Sequence, residues 1–303
     1  MLVAFLALSS ALSLAVTNIC IRRGTRWASP NQGVVLSALI APPVFVAIAT
    51  VNGDLWRVDD VPAEAYALFA VAGVVHFVIG RALNFAAIRA IGASRSSVIV
   101  GATPIFAVAL AIPILGESIS WVVGVGAIII MIGSVVMTRG GHYADPVGTS
   151  AAGIAEVPSA VTGTLLALGA SFFWGVSPVL IKLGLDQADV PILGTLVATS
   201  AAGLFLGSFL GNPRFMREMV RMDRQAVLWF FLAGCLAAVA QIFRFLALSE
   251  GDVTLVVLIM QSIPLFVITL TVAVNRDFEV LNAFVFIGAV FVTVGAVIVT
   301  GWS

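Results

Sequence analysis

Charge is what this sequence has least of. Charged residues fill 10% of its 303 positions and hydrophobic residues 61%, for a mean hydropathy of +1.14. A soluble domain carries roughly 25% charged residues. A chain this poor in charge cannot cover a water-facing surface, so the bilayer must be its solvent. The formal net charge is zero, and the few charges cluster between apolar runs. That distribution lacks the basic footprint of a nucleic-acid binder. Cysteine is scarce too. Cys20 and Cys235 both sit in apolar runs and read as packing residues rather than a disulfide or a metal pair. The two histidines, His76 and His142, lie far apart, with no metal-ligand spacing around them. A membrane-embedded enzyme would need a buried nucleophile–base pair or a metal cluster, and neither is visible. No ATP-binding loop is present, so neither direct ATP drive nor any cofactor is expected.

What the chain has instead is long apolar runs. A helix needs about 20 residues to cross the hydrocarbon. Ten runs qualify: 2–21, 33–51, 65–88, 94–114, 119–137, 162–182, 191–210, 226–248, 253–273 and 281–300. Charges, Gly, Pro or Asn break them, as in Arg22-Arg23-Gly24, Asn52-Gly53-Asp54 and Asn212-Pro213-Arg214. Very short turns near Gly92 and Gly251 join the third run to the fourth and the eighth to the ninth. The first run lacks the basic start of a signal peptide and has a counterpart in the sixth, so a retained helix is expected.

The two halves also match each other. Residues 84–104, NFAAIRAIGASRSSVIVGATP, align at an offset of 160 with residues 244–264, RFLALSEGDVTLVVLIMQSIP. Asn84-Phe85 meets Arg244-Phe245, Ala87 meets Ala247, and Pro104 meets Pro264. After a two-residue slip, Glu117, Gly126 and Gly133 meet Glu279, Gly288 and Gly295. The expected organisation is a first repeat over 1–140, a Gly-, Ala-, Ser- and Pro-rich linker over 141–160, and a second repeat over 161–303. Five helices per repeat is an odd number, so the second repeat must enter the membrane from the opposite side. The expected fold is an all-α membrane protein of ten transmembrane helices, arranged as two inverted five-helix repeats. That is a plan of secondary transporters. Eleven arginines lie in loops after odd-numbered helices, against Arg57 and Lys182 after even-numbered ones. The positive-inside rule then puts both termini on the non-cytoplasmic side.

Three strings carry a family resemblance. They are FFWGVSPVLIKLGL (172–185), SSVIVGATPIFAVALAIPILGES (96–118) and a Gly-rich last helix in each half. The chain resembles the drug/metabolite transporter superfamily, specifically its ten-helix EamA family, over nearly its whole length. The resemblance implies an inner-membrane carrier of small metabolites with a central cavity between the halves. It does not imply a particular substrate. Two features depart from the family pattern. The second loop is acidic where ten-helix members usually have cytoplasmic termini and a basic second loop. Arg81 stands where an aromatic or apolar residue is common.

Candidate functional residues follow from polarity inside the runs. Pro104 and Pro264 lie mid-helix at matched positions and free the carbonyls four residues earlier, on Val100 and Met260. With Gly101, Thr103, Gln261 and Ser262 beside them, they are candidate gating kinks. Packing kinks satisfied by neighbouring helices are the alternative. Ser10, Ser13 and Thr17 form a polar stripe on the first helix, with Asn18 adjacent. Substrate contact and helix–helix hydrogen bonding explain that stripe equally well. Trp174, near Pro178, could wall a cavity, simply pack, or sit as an interfacial aromatic. Glycines seven apart, 126 with 133 and 288 with 295, form a close-approach seam.

Two intramembrane arginines carry the strongest chemistry. Arg81 has Asn84 one turn on and His76 before it, and Arg244 has Gln241 one turn before. Each arginine costs at least ~2.5 kcal/mol in hydrocarbon and so seeks an anion, carbonyls or water. Counted from helix midpoints, Arg81 is roughly 7 Å and Arg244 roughly 10 Å from the bilayer centre, on opposite sides. Both could anchor an anionic solute in turn, with Arg244 also free to snorkel. The expected function is secondary transport of a small polar or anionic metabolite, such as an amino acid or a carboxylated or phosphorylated solute. The expected partners are that solute and the lipid bilayer, with the chain a monomer or homodimer. The alternative is a proton-coupled drug or cation exporter. Small multidrug relatives use a carboxylate in the first helix, whereas residues 2–21 hold no acid.

Overall fold

A computed structural model describes residues 1–91, 93–140, 160–274 and 283–301. Gly92, residues 141–159, which are most of the expected linker and include His142, and residues 275–282 with Glu279 lie outside the described set. Among the described residues the chain is helical and contains no strand.

The elements are α1 (Leu2–Gly24), α2 (Pro30–Asn52), α3 (Ala63–Val74), a π-helical turn (Val75–Gly80), α4 (Arg81–Ile91), α5 (Ala93–Val100), α6 (Thr103–Leu115) and α7 (Trp121–Gly140). They continue with α8 (Ala160–Gln187), α9 (Pro191–Gly207), α10 (Pro213–Val220), α11 (Arg224–Glu250), α12 (Val253–Met260), α13 (Ile263–Val274) and α14 (Ala283–Gly301). Seven helical segments among the described residues are long and apolar enough to cross a membrane: 2–24, 31–52, 63–91, 95–115, 161–187, 191–211 and 224–250. Three shorter apolar helices cover 121–136, 253–267 and 286–299. Large apolar side chains such as Leu204 and Phe286 remain 79% and 74% exposed. Such a surface requires lipid around it.

The helix ends follow from local chemistry. Ser29 and Gln32 start α2 with a reciprocal capping box. Asn212 and Asp223 accept the first free N–H groups of α10 and α11. Gly53 and Gly116 close α2 and α6 with φ of 82° and 69°, a left-handed conformation that only glycine adopts cheaply.

Two compact units partition the chain. One holds residues 2–78 and 180–251, and the other holds residues 79–179 and 252–303 with Met1. Each therefore draws on both sequence repeats. The boundaries fall inside the π turn, one residue past Pro178, and just after Gly251.

In the unit of 2–78 and 180–251, Phe45, Phe69, Phe230 and Phe245 are fully buried. The rings of Phe69 and Phe245 lie 6.2 Å apart and tilted. A paired arrangement recurs in this unit. The Phe69 ring fills the notches of Gly184 and Gly194, where an added Cβ would come within 2.6 and 3.0 Å of it. The Phe230 ring fills those of Gly24 and Gly33, where a Cβ would come within 2.5 Å at each. The large ring and the absent side chain are complementary, so any side chain at these glycines must displace a buried phenylalanine.

In the unit of 79–179 and 252–303, the expected glycine seam joins α7 to α14. A Cβ on Gly133 would sit 2.8 Å from the Gly288 carbonyl oxygen, and one on Gly295 would sit 2.8 Å from that of Gly126. The obstacles are backbone atoms, which cannot rotate aside, so the seam fixes the approach of these two helices. The seam thus ties the first repeat to the second inside one chain. Glu117 makes a second tie. Its Oε1 accepts the Val253 N–H at 2.6 Å and its Oε2 accepts that of Thr254 at 3.0 Å. A carboxylate from the end of α6 thereby caps the positive end of α12.

Candidate functional site

Arg244 lies on α11 and is 5% exposed. Its guanidinium Nη1 stands 3.4 Å from Nδ1 and 3.5 Å from Nε2 of His76, which belongs to the π turn. Guanidinium has no acceptor, so Arg244 donates and the imidazole presents its lone pair. The His76 ring is held edge-on by Phe77, with centroids 4.8 Å apart. A π-helical turn widens the helix locally and re-aims a side chain, and such turns are frequent at functional sites. One long contact occupies little of a five-donor group. Among the described residues no carboxylate lies within ion-pair distance of Arg244. The alternative reading, a side chain that snorkels from near the helix end, does not match this placement: the side chain is buried beside His76.

Gln241 sits one turn before Arg244 on the same helix face. It is 5% exposed, and its Oε1 has no hydrogen-bond partner among the described residues. Leaving a buried acceptor unpaired costs roughly 1–3 kcal/mol. A fork donor and an empty acceptor therefore lie one turn apart in the same unit. That pair can receive a solute carrying an anionic group and an N–H or O–H donor.

The other sequence-selected residues take different roles. Arg81 opens α4 directly after the π turn and is half-buried. Asn84 is already engaged, because its Oδ1 accepts the Ser96 hydroxyl at 3.1 Å. Trp174 is half-buried on α8, in a stretch where Phe106 and Phe172 pack edge to face at 5.7 Å. The stripe on α1 turns inward on the protein itself. The Ser10 hydroxyl donates to the Ala240 carbonyl at 2.8 Å, and that of Thr17 donates to the Ser13 carbonyl at 2.8 Å. Asn18 is exposed.

The matched prolines sit at matched helix breaks. The chain leaves helical geometry at Gly101–Ala102 and again at Gln261–Ser262. The Val100 carbonyl freed by Pro104 accepts the Thr103 hydroxyl at 2.8 Å and the Ser171 hydroxyl at 3.3 Å. Gln261 Nε2 donates to the Gly101 carbonyl at 3.3 Å, so one break is tied directly to the other. The Ser262 hydroxyl is buried without a partner among the described residues. The first break is thus satisfied by neighbours and the second keeps an open hydroxyl.

Helices apolar enough to span a bilayer, paired breaks and a buried cation describe a multi-pass membrane protein. The sequence profile of the EamA-like transporter family matches residues 1–139 and 161–301. The chain belongs to this family. No curated protein matches it in sequence. A solved structure titled only "Crystal structure of protein" shares 18% identity, covering 98% of this chain and 96% of that one with a TM-score of 0.74. At that identity the likeness establishes the fold alone. An EamA-like transporter binds and moves a solute, which suits a site built of hydrogen-bond donors and acceptors.

The π turn and the Arg244–His76 contact were not readable as a pair. His76 and Arg244 are 168 residues apart, and no opposite charges advertise the contact.

Proposed function

We propose that this EamA-like transporter is a secondary carrier that moves a small polar or anionic metabolite across the inner membrane by alternating access. In this reading the ten apolar segments are ten crossings, and the repeats are inverted so that their exchange of roles interconverts two conformations. The twofold recurrence of a phenylalanine held by two glycines, and of helix breaks at matched prolines, supports the repeat. The eleven-to-two arginine asymmetry supports non-cytoplasmic termini. A reporter active only in the cytoplasm should be silent when fused at Ser303.

The observation that carries the substrate class is Arg244, buried with no carboxylate in ion-pair contact among the described residues. Its best partner is a carboxylate or phosphate oxygen, because a bidentate charge-assisted bond offsets the cost of burying the cation. Gln241 Oε1 adds an acceptor for an ammonium or hydroxyl on the same solute, so amino acids suit the pair best. Arg81 supplies a second cation for the anionic group during passage. A buried cation opposes a cationic drug, which favours the metabolite reading over the exporter alternative. The test is uptake and efflux in reconstituted vesicles with a panel of amino acids, other carboxylates, phosphorylated solutes and organic cations. Transport confined to solutes bearing an anionic group is the expected result. Transport confined to cations would overturn the reading.

A further inference from the structure

Away from the buried arginine, the unit of 2–78 and 180–251 carries a second, water-facing cation cluster. Residues 22–29 and 213–224 together hold seven arginines against two carboxylates. The structure brings the two segments to one open cleft of about 410 Å³, whose walls include Trp27, Gln32, Arg217, Glu218, Arg221 and Asp223. Pockets that hold small ligands run from about 300 to 1,000 Å³.

The helix that forms one wall is built for an interface. Arg214 and Arg217 on α10 and Arg221 at its C-cap fall at i, i+3 and i+7 and share one side. Phe215, Met216, Met219 and Val220 share the opposite face. Met216 is 40% exposed and Val220 78%. Trp27, at the rim, is 45% exposed. A short amphipathic helix with arginines on one face, exposed apolar groups on the other and a tryptophan beside it lies at the headgroup level of a bilayer. Glu218 and Asp223 line the same cleft as Arg217 and Arg221. The excess positive charge therefore comes from the arginines in the flanking segments, Arg214 and Arg224 on one side and Arg22, Arg23 and Arg26 on the other. Asp223 also caps α11 by accepting the Gln225 N–H at 2.7 Å.

We propose that this cleft binds the headgroup of an anionic glycerophospholipid, with Arg217 and Arg221 on the phosphate and Trp27 at the glycerol–acyl boundary. The proposal requires only that the chain lies in a membrane, and it does not depend on the substrate class. Clusters of arginines at the membrane face recognise anionic lipid in this way. The cleft adds what a bare basic loop lacks: a concave seat with arginines on one wall and an aromatic on the rim. The lipid's acyl chains would lie against the apolar face of α10, where Met216 and Val220 are exposed.

The test uses the purified full-length protein in mixed micelles, with retained phosphatidylglycerol and phosphatidylcholine counted by native mass spectrometry. The intact protein should retain phosphatidylglycerol selectively. R217Q/R221Q changes two exposed side chains, so its melting temperature should be unchanged. Its phosphatidylglycerol affinity should fall roughly twenty-five-fold, at about fivefold per arginine near an anionic surface. R89Q/R95Q removes the same charge from two exposed arginines elsewhere and should lose less than threefold. Equal retention of both lipids overturns the proposal. So does a loss in R89Q/R95Q as large as in R217Q/R221Q, which would reduce the effect to net charge. Displacement of the lipid by millimolar inorganic phosphate would also overturn it, by making the cleft a seat for soluble anions.

Discussion

At the repeat offset of 160, Arg81 faces Gln241 in register and Asn84 faces Arg244. Each repeat carries one arginine and one amide a turn apart, in opposite order. Their surroundings differ. The first amide is spent, because Asn84 Oδ1 holds the Ser96 hydroxyl. The second amide keeps a buried oxygen without a hydrogen-bond partner among the described residues, one turn from a buried arginine whose guanidinium approaches the His76 ring at 3.4 Å. The comparison teaches that duplication can reproduce polarity without reproducing function. The amide of the first copy is engaged locally, and that of the second retains open hydrogen-bonding capacity.

The largest expected effect is on Arg244. Arg244→Gln should weaken substrate affinity about thirtyfold, the worth of a hydrogen bond to a charged group, at normal yield. Arg81→Gln should cost less. Equal losses in purified variants would erase the asymmetry and make the two arginines equivalent anchors. Next comes the amide pair. Gln241→Leu should weaken affinity about fivefold, from one neutral hydrogen bond. Asn84→Ala should leave affinity unchanged and lower stability by about 1 kcal/mol, because it orphans the Ser96 hydroxyl. Binding titrations and thermal melts of both variants separate the cases. The smallest effect concerns the breaks. Pro104→Ala restores a backbone donor where the Val100 carbonyl already has two hydroxyl partners. It should slow turnover by roughly threefold through a conformational bias of under ~1 kcal/mol, with yield and KM near normal. Unchanged turnover would make that break a packing feature only.

Much of the fold was legible in the sequence because lipid permits few solutions. Apolar runs had to be helices, Gly53 and Gly116 had to be ends, and Pro104 and Pro264 had to interrupt. The glycine spacing of 126 with 133 and 288 with 295 foretold a close approach, and the structure supplied its partners. The site was less legible. Arg244, Gln241 and His76 were each selectable as polar groups in apolar surroundings. Their assembly depends on a π turn with no Pro or Gly–Ser signature, in a stretch reading VHFVIG. The polar stripe on α1 was ambiguous because a serine in lipid can bond either a solute or a neighbouring backbone, and Ser10 chose Ala240. Helix α10 was missed for its length. Eight residues are too few for a periodicity search keyed to spans, although Arg214, Arg217 and Arg221 already carried helical spacing.

The central claim is that Arg244 holds the anionic group of the solute. The most direct measurement pairs a transported carboxylate with its neutral amide analogue and titrates both into the native protein and into Arg244→Gln. The account predicts that the native protein prefers the carboxylate by about thirtyfold and that the preference vanishes in Arg244→Gln. The same preference in both proteins would contradict it, because the carboxylate would then be recognised elsewhere.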